Sequence, residues 1–348
     1  TRPDQTRPDQ TRPDQTGNNL QSEPLTNYVP NKIKTFLINY GFLRARVLFR
    51  KLWWPLERAL FRTFRRSKKL CIIRQRKSTT GLFACFIRIL SGISYADRRA
   101  MIPVADMQTC QNVYHYDEEV GSVNTWEYYY EQPAGISVNE AIAAENFTVV
   151  DTVFCPNPRQ YAPLYYDQDG QLTYWRKLCK KYIRFSQPVL DMLEREAQKF
   201  TGKRILGVSV RGTDYISLKP HAHPVQPTTE QAISKTREVM STGNYDAVYL
   251  ATEDKNIVTA FQKVFGDKLL LSECDYLDFD YSADRCVTTY FTDRKNDKYL
   301  RGLEYLVSKL LLTKCQGLIT SITSGSCGVM CLSEGFDYLY VFDLGIYD

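Results

Sequence analysis

The chain has 348 residues, of which 43% are hydrophobic and 24% charged, and its formal net charge is +6. These are ordinary globular values, and the length suits two α/β domains, because single domains usually have about 100 to 200 residues. No apolar run approaches the roughly 18 residues of a membrane span, and the chain does not open with a signal-peptide pattern. The sequence therefore predicts a cytoplasmic protein.

Ten cysteines are scattered along the chain without a CxxC pair. Neither they nor the three histidines have the spacing of metal ligands. We therefore expect reduced, mostly buried thiols, no bound metal and no other cofactor.

Residues 1–15 are three copies of Thr-Arg-Pro-Asp-Gln, and residues 1–30 are predicted to form a disordered tail because they are too polar to bury. The repeated base unit ACCAG, read as ACC AGA CCA GAC CAG, encodes this peptide. Such tracts slip during replication, which suggests phase variation of a gene that decorates a microbial surface. A linker or cloning remnant is the alternative explanation.

Residues 31–69 hold twelve Lys or Arg and one acidic residue, Glu57, with bulky apolar residues between them, including Trp53 and Trp54. This composition at helical spacing is typical of a helix in an anionic membrane interface. We expect peripheral attachment to the inner face of the cell membrane. A nucleic-acid patch and a helix packed on the catalytic body are the alternatives, and we expect no nucleic-acid partner.

From residue 70 onward strand and helix signals alternate, which predicts an α/β protein with parallel sheets and helical crossovers. The first domain, residues 70–200, has predicted strands at 70–73, 102–105 and 147–150 and helices at 81–99, at 137–144 and from 175 to about 200. Residues 201–203 are a plausible hinge.

The second domain, residues 201–348, has predicted strands at 205–210, 247–251, 268–271, 318–321 and 338–342, and helices at 229–240, 255–265 and 298–315. This is a doubly wound, Rossmann-like pattern. Sheets of this kind bind ligands at the carboxyl ends of their strands.

Three polar clusters follow strands of the second domain, so the topology predicts that they converge on one crevice. Arg211 follows the first strand, where a guanidinium can bind two phosphate oxygens and neutralise a departing diphosphate. The second cluster offers hydroxyls and backbone N–H groups to an anion at a helix start: Thr323, Ser324, Gly325 and Ser326. The third offers carboxylates to the N–H groups of a base such as guanine: Thr252, Glu253 and Asp254.

Each cluster alone also has a structural explanation. Arg211 and Asp214 could form an ion pair, Ser and Thr before a helix are common N-caps, and an acidic pair is common in turns.

The same segments resemble motifs of the inverting fucosyltransferases, which include α1,6-fucosyltransferases and protein O-fucosyltransferases, and more closely those of bacterial polysaccharide-biosynthesis relatives. The resemblance covers roughly residues 79–343 and rests on three motifs: Ser209-Val210-Arg211-Gly212-Thr213-Asp214, Ala251-Thr252-Glu253-Asp254 and Thr323-Ser324. It implies a GT-B-like fold, in which two Rossmann-like domains face a cleft, and an inverting, metal-independent transfer from GDP-fucose.

The resemblance also implies that Arg211 and Ser324 hold the β-phosphate of GDP and that Glu253 or Asp254 holds guanine. Ser209 replaces a histidine of the family motif, and Gly212 replaces an arginine. Both departures lie on the donor side, so a different nucleotide-sugar donor remains an alternative.

An inverting transfer needs a general base for the acceptor hydroxyl, with a pKa not far from the working pH. His223 is the first candidate, although it could be an ordinary loop histidine. Asp214 is the second, but a carboxylate beside Arg211 would be acidified and would suit an orienting role better.

An aromatic stretch of the first domain resembles a segment of the bacterial relatives and is predicted to stack on the acceptor sugar: Trp126, Glu127 and Tyr128. The sequence thus predicts an enzyme that moves fucose or a similar deoxyhexose from a GDP-sugar to a cell-surface glycan precursor on a membrane-bound lipid carrier. A non-catalytic glycan- or nucleic-acid-binding module on the same fold is the alternative from another class.

Overall fold

A computed structural model describes residues 69–76, 78–152, 162–212, 218–278 and 292–347. These residues belong to one compact unit of the chain. The repeat of residues 1–15 and nearly all of the basic segment lie outside the described residues, so the predictions made for them stay predictions. None of the helices in the described ranges is long and apolar enough to span a membrane.

The first sheet has three parallel strands in the order β2-β1-β3. Its strands are β1 (Leu70–Arg74), β2 (Ile102–Asp106) and β3 (Phe147–Asp151). Helix α1 (Leu82–Asp97) connects β1 to β2, and α2 (Val138–Ala143) precedes β3. The strand β2 is buried along its whole length, as expected for a parallel strand covered on both faces.

Three helices connect the two sheets: α3 (Ala162–Tyr165), α4 (Gln171–Tyr182) and α5 (Gln187–Ala197). Pro188 lies in the first turn of α5, where a residue without an N–H group is tolerated. The chain therefore forms separate helices between residues 171 and 197.

The second sheet has five parallel strands in the order β6-β5-β4-β7-β8. Its strands are β4 (Ile205–Ser209), β5 (Ala247–Ala251), β6 (Leu269–Leu270), β7 (Gly317–Ser321) and β8 (Tyr338–Phe342). Its helices are α6 (Thr229–Thr242), α7 (Lys255–Phe265), α8 (Asp297–Leu312) and α9 (Ser324–Leu332). The strand order reverses direction at β4, which is where open α/β sheets bind ligands.

Helix α9 connects the two halves by packing, and nearly all of its residues are buried. It packs against α1 and α4 of the first half, and α8 packs against α5. Gly328 makes the approach to α1 possible, because a Cβ there would lie 2.1 Å from the ring of Phe83. Side chains of both halves consequently form one continuous apolar core.

The cysteines agree with the prediction made for them. All eight that the structure describes are free thiols, and six of these are buried. Burial raises the pKa of Cys85 and of Cys315, so these thiols stay protonated near neutral pH.

The close approach at Gly328 predicts whether an alanine there stabilises or destabilises the protein. Glycine to alanine inside a helix usually stabilises by about 0.5 to 1 kcal/mol. Gly328→Ala should instead lower the free energy of unfolding by about 1 to 3 kcal/mol, because Phe83 must move. Urea denaturation measures the change, with Ser234→Ala on the exposed face of α6 as the control, expected within about 0.5 kcal/mol of wild type. A Gly328→Ala variant as stable as wild type would refute this packing.

Candidate functional site

A cavity of about 620 Å³ lies between elements of the two sheets. The start of α1 borders it from the first half, and α8 with the segments after β4, β5 and β7 borders it from the second. Seven of the residues singled out from the sequence line this cavity: Arg211, His223, Thr252, Glu253, Thr323, Ser324 and Gly325. The three polar clusters therefore meet at one place, as predicted, while the role of each residue stays a prediction.

Arg211 and Glu253 form an ion pair across the ends of β4 and β5. The guanidinium Nη1 lies 3.0 Å from the Glu253 Oε1, and the two side chains are only 19% and 15% exposed. The pair forms because Ser209 and Ala251, which are paired in register, end the two strands side by side. A ligand phosphate at Arg211 would therefore meet a guanidinium that Glu253 already orients.

Gly212 is a glycine because the segment packs closely on α7. A Cβ at this position would lie 2.5 Å from the Asp254 Oδ2 and 2.8 Å from the Ile257 Cδ1. A larger side chain at residue 212 would therefore require the side chains of Asp254 and Ile257 to shift.

Asp254 is predicted to bind the base of the nucleotide, but its side chain lies elsewhere in the structure. Its side chain is fully buried and caps α7 by accepting a hydrogen bond from the Asn256 N–H at 2.8 Å. It does not line the cavity. Asp254 is therefore a helix cap, and Glu253 is the acidic residue of this cluster that can reach a ligand.

At the start of α9 some residues line the cavity, and others form hydrogen bonds that hold the first turn in place. Thr323 caps the helix by accepting from the Ser326 N–H at 3.0 Å, and the Ser326 hydroxyl accepts from the Thr323 N–H at 2.9 Å. Ser326 is 1% exposed and also contacts the Tyr165 hydroxyl at 2.9 Å. The structure thus gives the Ser326 hydroxyl partners inside the helix start and places it outside the cavity lining.

Ser324 and Gly325 remain on the cavity side of that turn. An α-helix leaves the N–H groups of its first turn without helical partners, and its N-terminus carries partial positive charge. A side chain at residue 325 would meet the Tyr305 hydroxyl at 2.8 Å and the Lys309 Cε at 3.4 Å. Glycine thus keeps the backbone of this turn open to an anion.

His223 lines the cavity from an exposed loop. Its Nδ1 lies 2.9 Å from the His221 carbonyl oxygen, which can only accept, so a neutral ring would have its proton on Nδ1 and its lone pair on Nε2. This tautomer suits a general base. Backbone hydrogen bonds hold the loop: Ala222 donates to Tyr347, Tyr347 to His223, and Val225 to Gly345.

Asp214, the second candidate base, lies outside the described residues.

Lys309 was missed by the sequence analysis and lies on the wall of the cavity. It is 5% exposed, and its Nζ donates to the Ser209 hydroxyl at 3.0 Å and to the Ala251 carbonyl oxygen at 3.5 Å. Burial lowers its pKa to about 8, while Glu253 opposes this shift and Arg211 adds to it. A lysine inside an otherwise apolar face of α8 is the signal that could have identified it.

A charge network that was also missed borders the cavity near the start of α8. Arg294 contacts Asp275 at 3.0 Å and Glu304 at 2.6 Å, and Arg301 contacts Asp297 at 2.9 Å. Burial alone would raise the pKa of Asp297, but hydrogen bonds from Thr292 and the charge of Arg301 hold this pKa below its usual value. The network fixes these side chains in place.

The predicted acceptor residues lie away from the cavity lining. Trp126 is 1% exposed, donates its indole N–H to the Glu131 carbonyl oxygen and stacks on Tyr130 with ring centroids 4.2 Å apart. The structure thus places the Trp126 ring in the core, where its faces pack against protein side chains.

Glu127 and Tyr128 also contact other protein groups, and neither lines the cavity. The Glu127 carboxylate accepts hydrogen bonds from Asn124 and Gln132. Tyr128 packs edge-on against Tyr129 and Tyr299, and burial raises its pKa, with a further rise from a hydrogen bond to Glu119. Neither side chain is positioned to bind a ligand in the cavity.

Among the described residues, no three His, Cys, Asp or Glu side chains are grouped as metal ligands would be.

A solved fucosyltransferase shares this fold, and two further structures align at lower scores. The fucosyltransferase NodZ from Bradyrhizobium aligns with a TM-score of 0.50 and 15% identity over 80% of this chain and 96% of that chain. The α-1,6-fucosyltransferase NodZ soaked with GDP-fucose aligns with a TM-score of 0.48 and 16% identity over 80% and 96% of the two chains. POFUT1 in complex with GDP-fucose aligns with a TM-score of 0.44 and 10% identity over 80% and 99%.

No protein-family description and no curated protein sequence matches the chain. The alignment with a TM-score of 0.50 is sufficient to identify the fold as GT-B-like, and this chain has two parallel sheets. The resemblance noted in the sequence is thus confirmed for the fold, while a closer relationship to bacterial polysaccharide-biosynthesis proteins stays a prediction.

Proposed function

We propose that the chain is an inverting, metal-independent glycosyltransferase that moves fucose, or a similar deoxyhexose, from a GDP-sugar to a cell-surface glycan precursor. The observation that carries the proposal is the meeting of Arg211, Glu253, the first turn of α9 and His223 at one cavity. The fold adds support, because similar NodZ structures were obtained with GDP-fucose and with GDP.

The charge of the cavity suits a nucleoside diphosphate. Among the described lining residues, six are basic and four are acidic, so the lining carries a positive excess. The N-terminal turns of both α1 and α9 also border the cavity, and each contributes partial positive charge. Together they offer an anion site built from side chains and backbone, which supports a mechanism without a metal ion.

In the proposed reaction, the acceptor hydroxyl attacks the anomeric carbon from the face opposite the diphosphate. The new C–O bond forms as the bond to the β-phosphate oxygen breaks, and the bonding pair leaves with GDP. His223 takes the hydroxyl proton on Nε2, and Arg211 with Ser324 and Gly325 stabilises the charge that grows on the diphosphate. Glu253 is the proposed partner of the guanine N–H groups.

Donor binding is tested by calorimetric titration of the full chain, in the presence of a chelator, with GDP, UDP, ADP and CMP. We expect selective binding of GDP, and we expect Arg211→Ala to weaken it by roughly 10- to 100-fold, because a charged hydrogen bond is worth about 1.5 to 3 kcal/mol. Arg204→Ala is the matched control, since Arg204 lies at the other end of β4 and pairs with Asp337.

Each other outcome of this titration has a definite meaning. Selective binding of UDP, ADP or CMP would overturn the GDP donor while leaving a transferase. Absence of nucleotide binding by a folded wild-type chain would overturn the transferase itself.

The role of His223 is tested by the rate of fucosyl transfer. We expect His223→Ala to lower kcat by about 10²- to 10⁴-fold, the usual contribution of a general base, and to leave the affinity for GDP unchanged. His221→Ala is the control, because the His223 ring is held by the His221 backbone carbonyl and not by its side chain. An unchanged kcat in His223→Ala would exclude this base and favour Asp214.

The basic segment of residues 31–69 supports a place at the inner face of the cell membrane, where a lipid-linked acceptor would be available. We expect the full chain to co-sediment with anionic vesicles and to be released by salt, since polybasic segments bind through screened charge. Equal binding to neutral vesicles, or none to anionic ones, would contradict this attachment.

A further inference from the structure

Lys309 is a buried cation, and burying its charge lowers the stability of the protein. Its ammonium group has three N–H donors, contacts the neutral oxygens of Ser209 and Ala251, and lies over the Tyr305 ring, 5.5 Å from the ring centroid. Among the described residues it has no carboxylate within ion-pair distance. Removing an ammonium group from water without such a partner is unfavourable, and an apolar side chain of similar volume would usually be at least as stable.

Lys309 lies where its positive charge can act on an anion in the cavity. Its side chain runs beside the first turn of α9, because its Cε lies 3.4 Å from the point where residue 325 would carry a Cβ. Its Nζ lies at the ends of β4 and β5, next to the segment that carries Arg211. It therefore stands between the helix start and the arginine that border the cavity.

We propose that Lys309 is a donor-binding residue whose third N–H binds a phosphate oxygen of the nucleotide diphosphate. The inference rests on the proposed function and adds a residue that the sequence motifs did not identify. A phosphate fits better than a carbonyl oxygen of the base, because only an anion offsets the burial of the ammonium charge.

The proposal also explains Ser209, at the position where the sequence departs from the family motif. The Ser209 hydroxyl accepts one N–H of Lys309 at 3.0 Å, and the Ala251 carbonyl oxygen accepts another at 3.5 Å. These two contacts hold the buried side chain near the cavity and leave one N–H for a ligand.

The site should respond to pH in a definite direction. The ionisable groups that face Lys309 are Arg211 and Glu253, beyond the ends of β4 and β5, and Tyr305 on its own helix. With a pKa of about 8 in the free protein, Lys309 loses its proton as the pH rises from 7 to 9. A bound phosphate favours the charged form, so GDP affinity should fall over this range, by up to about tenfold at pH 9.

The experiment compares full-length wild type with Lys309→Met, using inorganic pyrophosphate, GDP and guanosine as probes. We expect Lys309→Met to weaken pyrophosphate and GDP binding by roughly 10- to 100-fold and guanosine binding by less than about twofold. Lys314→Met, an exposed lysine just after the same helix, should bind all three probes like wild type. Thermal unfolding checks that the variants are folded.

A measurement on the wild-type chain keeps the inference testable should Lys309→Met not fold. Titration with GDP at pH 8 in buffers of different ionisation enthalpy should show uptake of about half a proton per GDP bound, since Lys309 is half protonated before binding. No uptake would overturn the inference.

The outcomes separate this inference from the proposed function. Unchanged GDP affinity in Lys309→Met, or an equal loss for guanosine and GDP, would overturn the phosphate contact while leaving the transferase. Failure of the wild-type chain to bind any of the three probes would overturn both.

Discussion

The close packing of α9 against α1 is the contact on which the rest of the structure depends. Gly328 lets the two helices approach, and Phe83 fills the space between them. Because both helices begin at the cavity, this contact fixes the distance between the two N-terminal turns as well as that between the two halves. The same helix therefore stabilises the core with its middle and forms the candidate anion site with its first turn.

Most of the fold could be predicted because its signals are local. The bounds of β5, α7 and β8 agree with the sequence prediction to the residue, since apolar runs and caps mark them. The remaining strands and most helices of the second sheet differ by one to three residues at their ends. The meeting of the polar clusters followed from topology alone, because parallel strands place their carboxyl ends at one edge.

The roles of individual side chains were harder to predict, because they depend on contacts between distant residues. Asp254 and Ser326 have the chemistry of ligands, but Asp254 caps α7 and the Ser326 hydroxyl accepts the Thr323 N–H at the start of α9. Sequence spacing does not distinguish these uses from ligand binding. The Trp126 ring stacks on Tyr130 and Phe86, and the sequence alone does not show that these rings lie against it. Lys309 reaches Ser209 across 100 positions of sequence, a contact that no local pattern encodes.

The pairing of residues 222–225 with residues 345–347 has a practical meaning for anyone who produces this protein. Backbone hydrogen bonds from residues 345–347 hold the loop of the candidate base. A purification tag or reporter attached next to residue 347 would act on these bonds and could distort the loop without unfolding the core. Comparing the chain tagged there with the chain tagged before residue 1 would separate weak activity caused by the tag from weak activity of the protein itself.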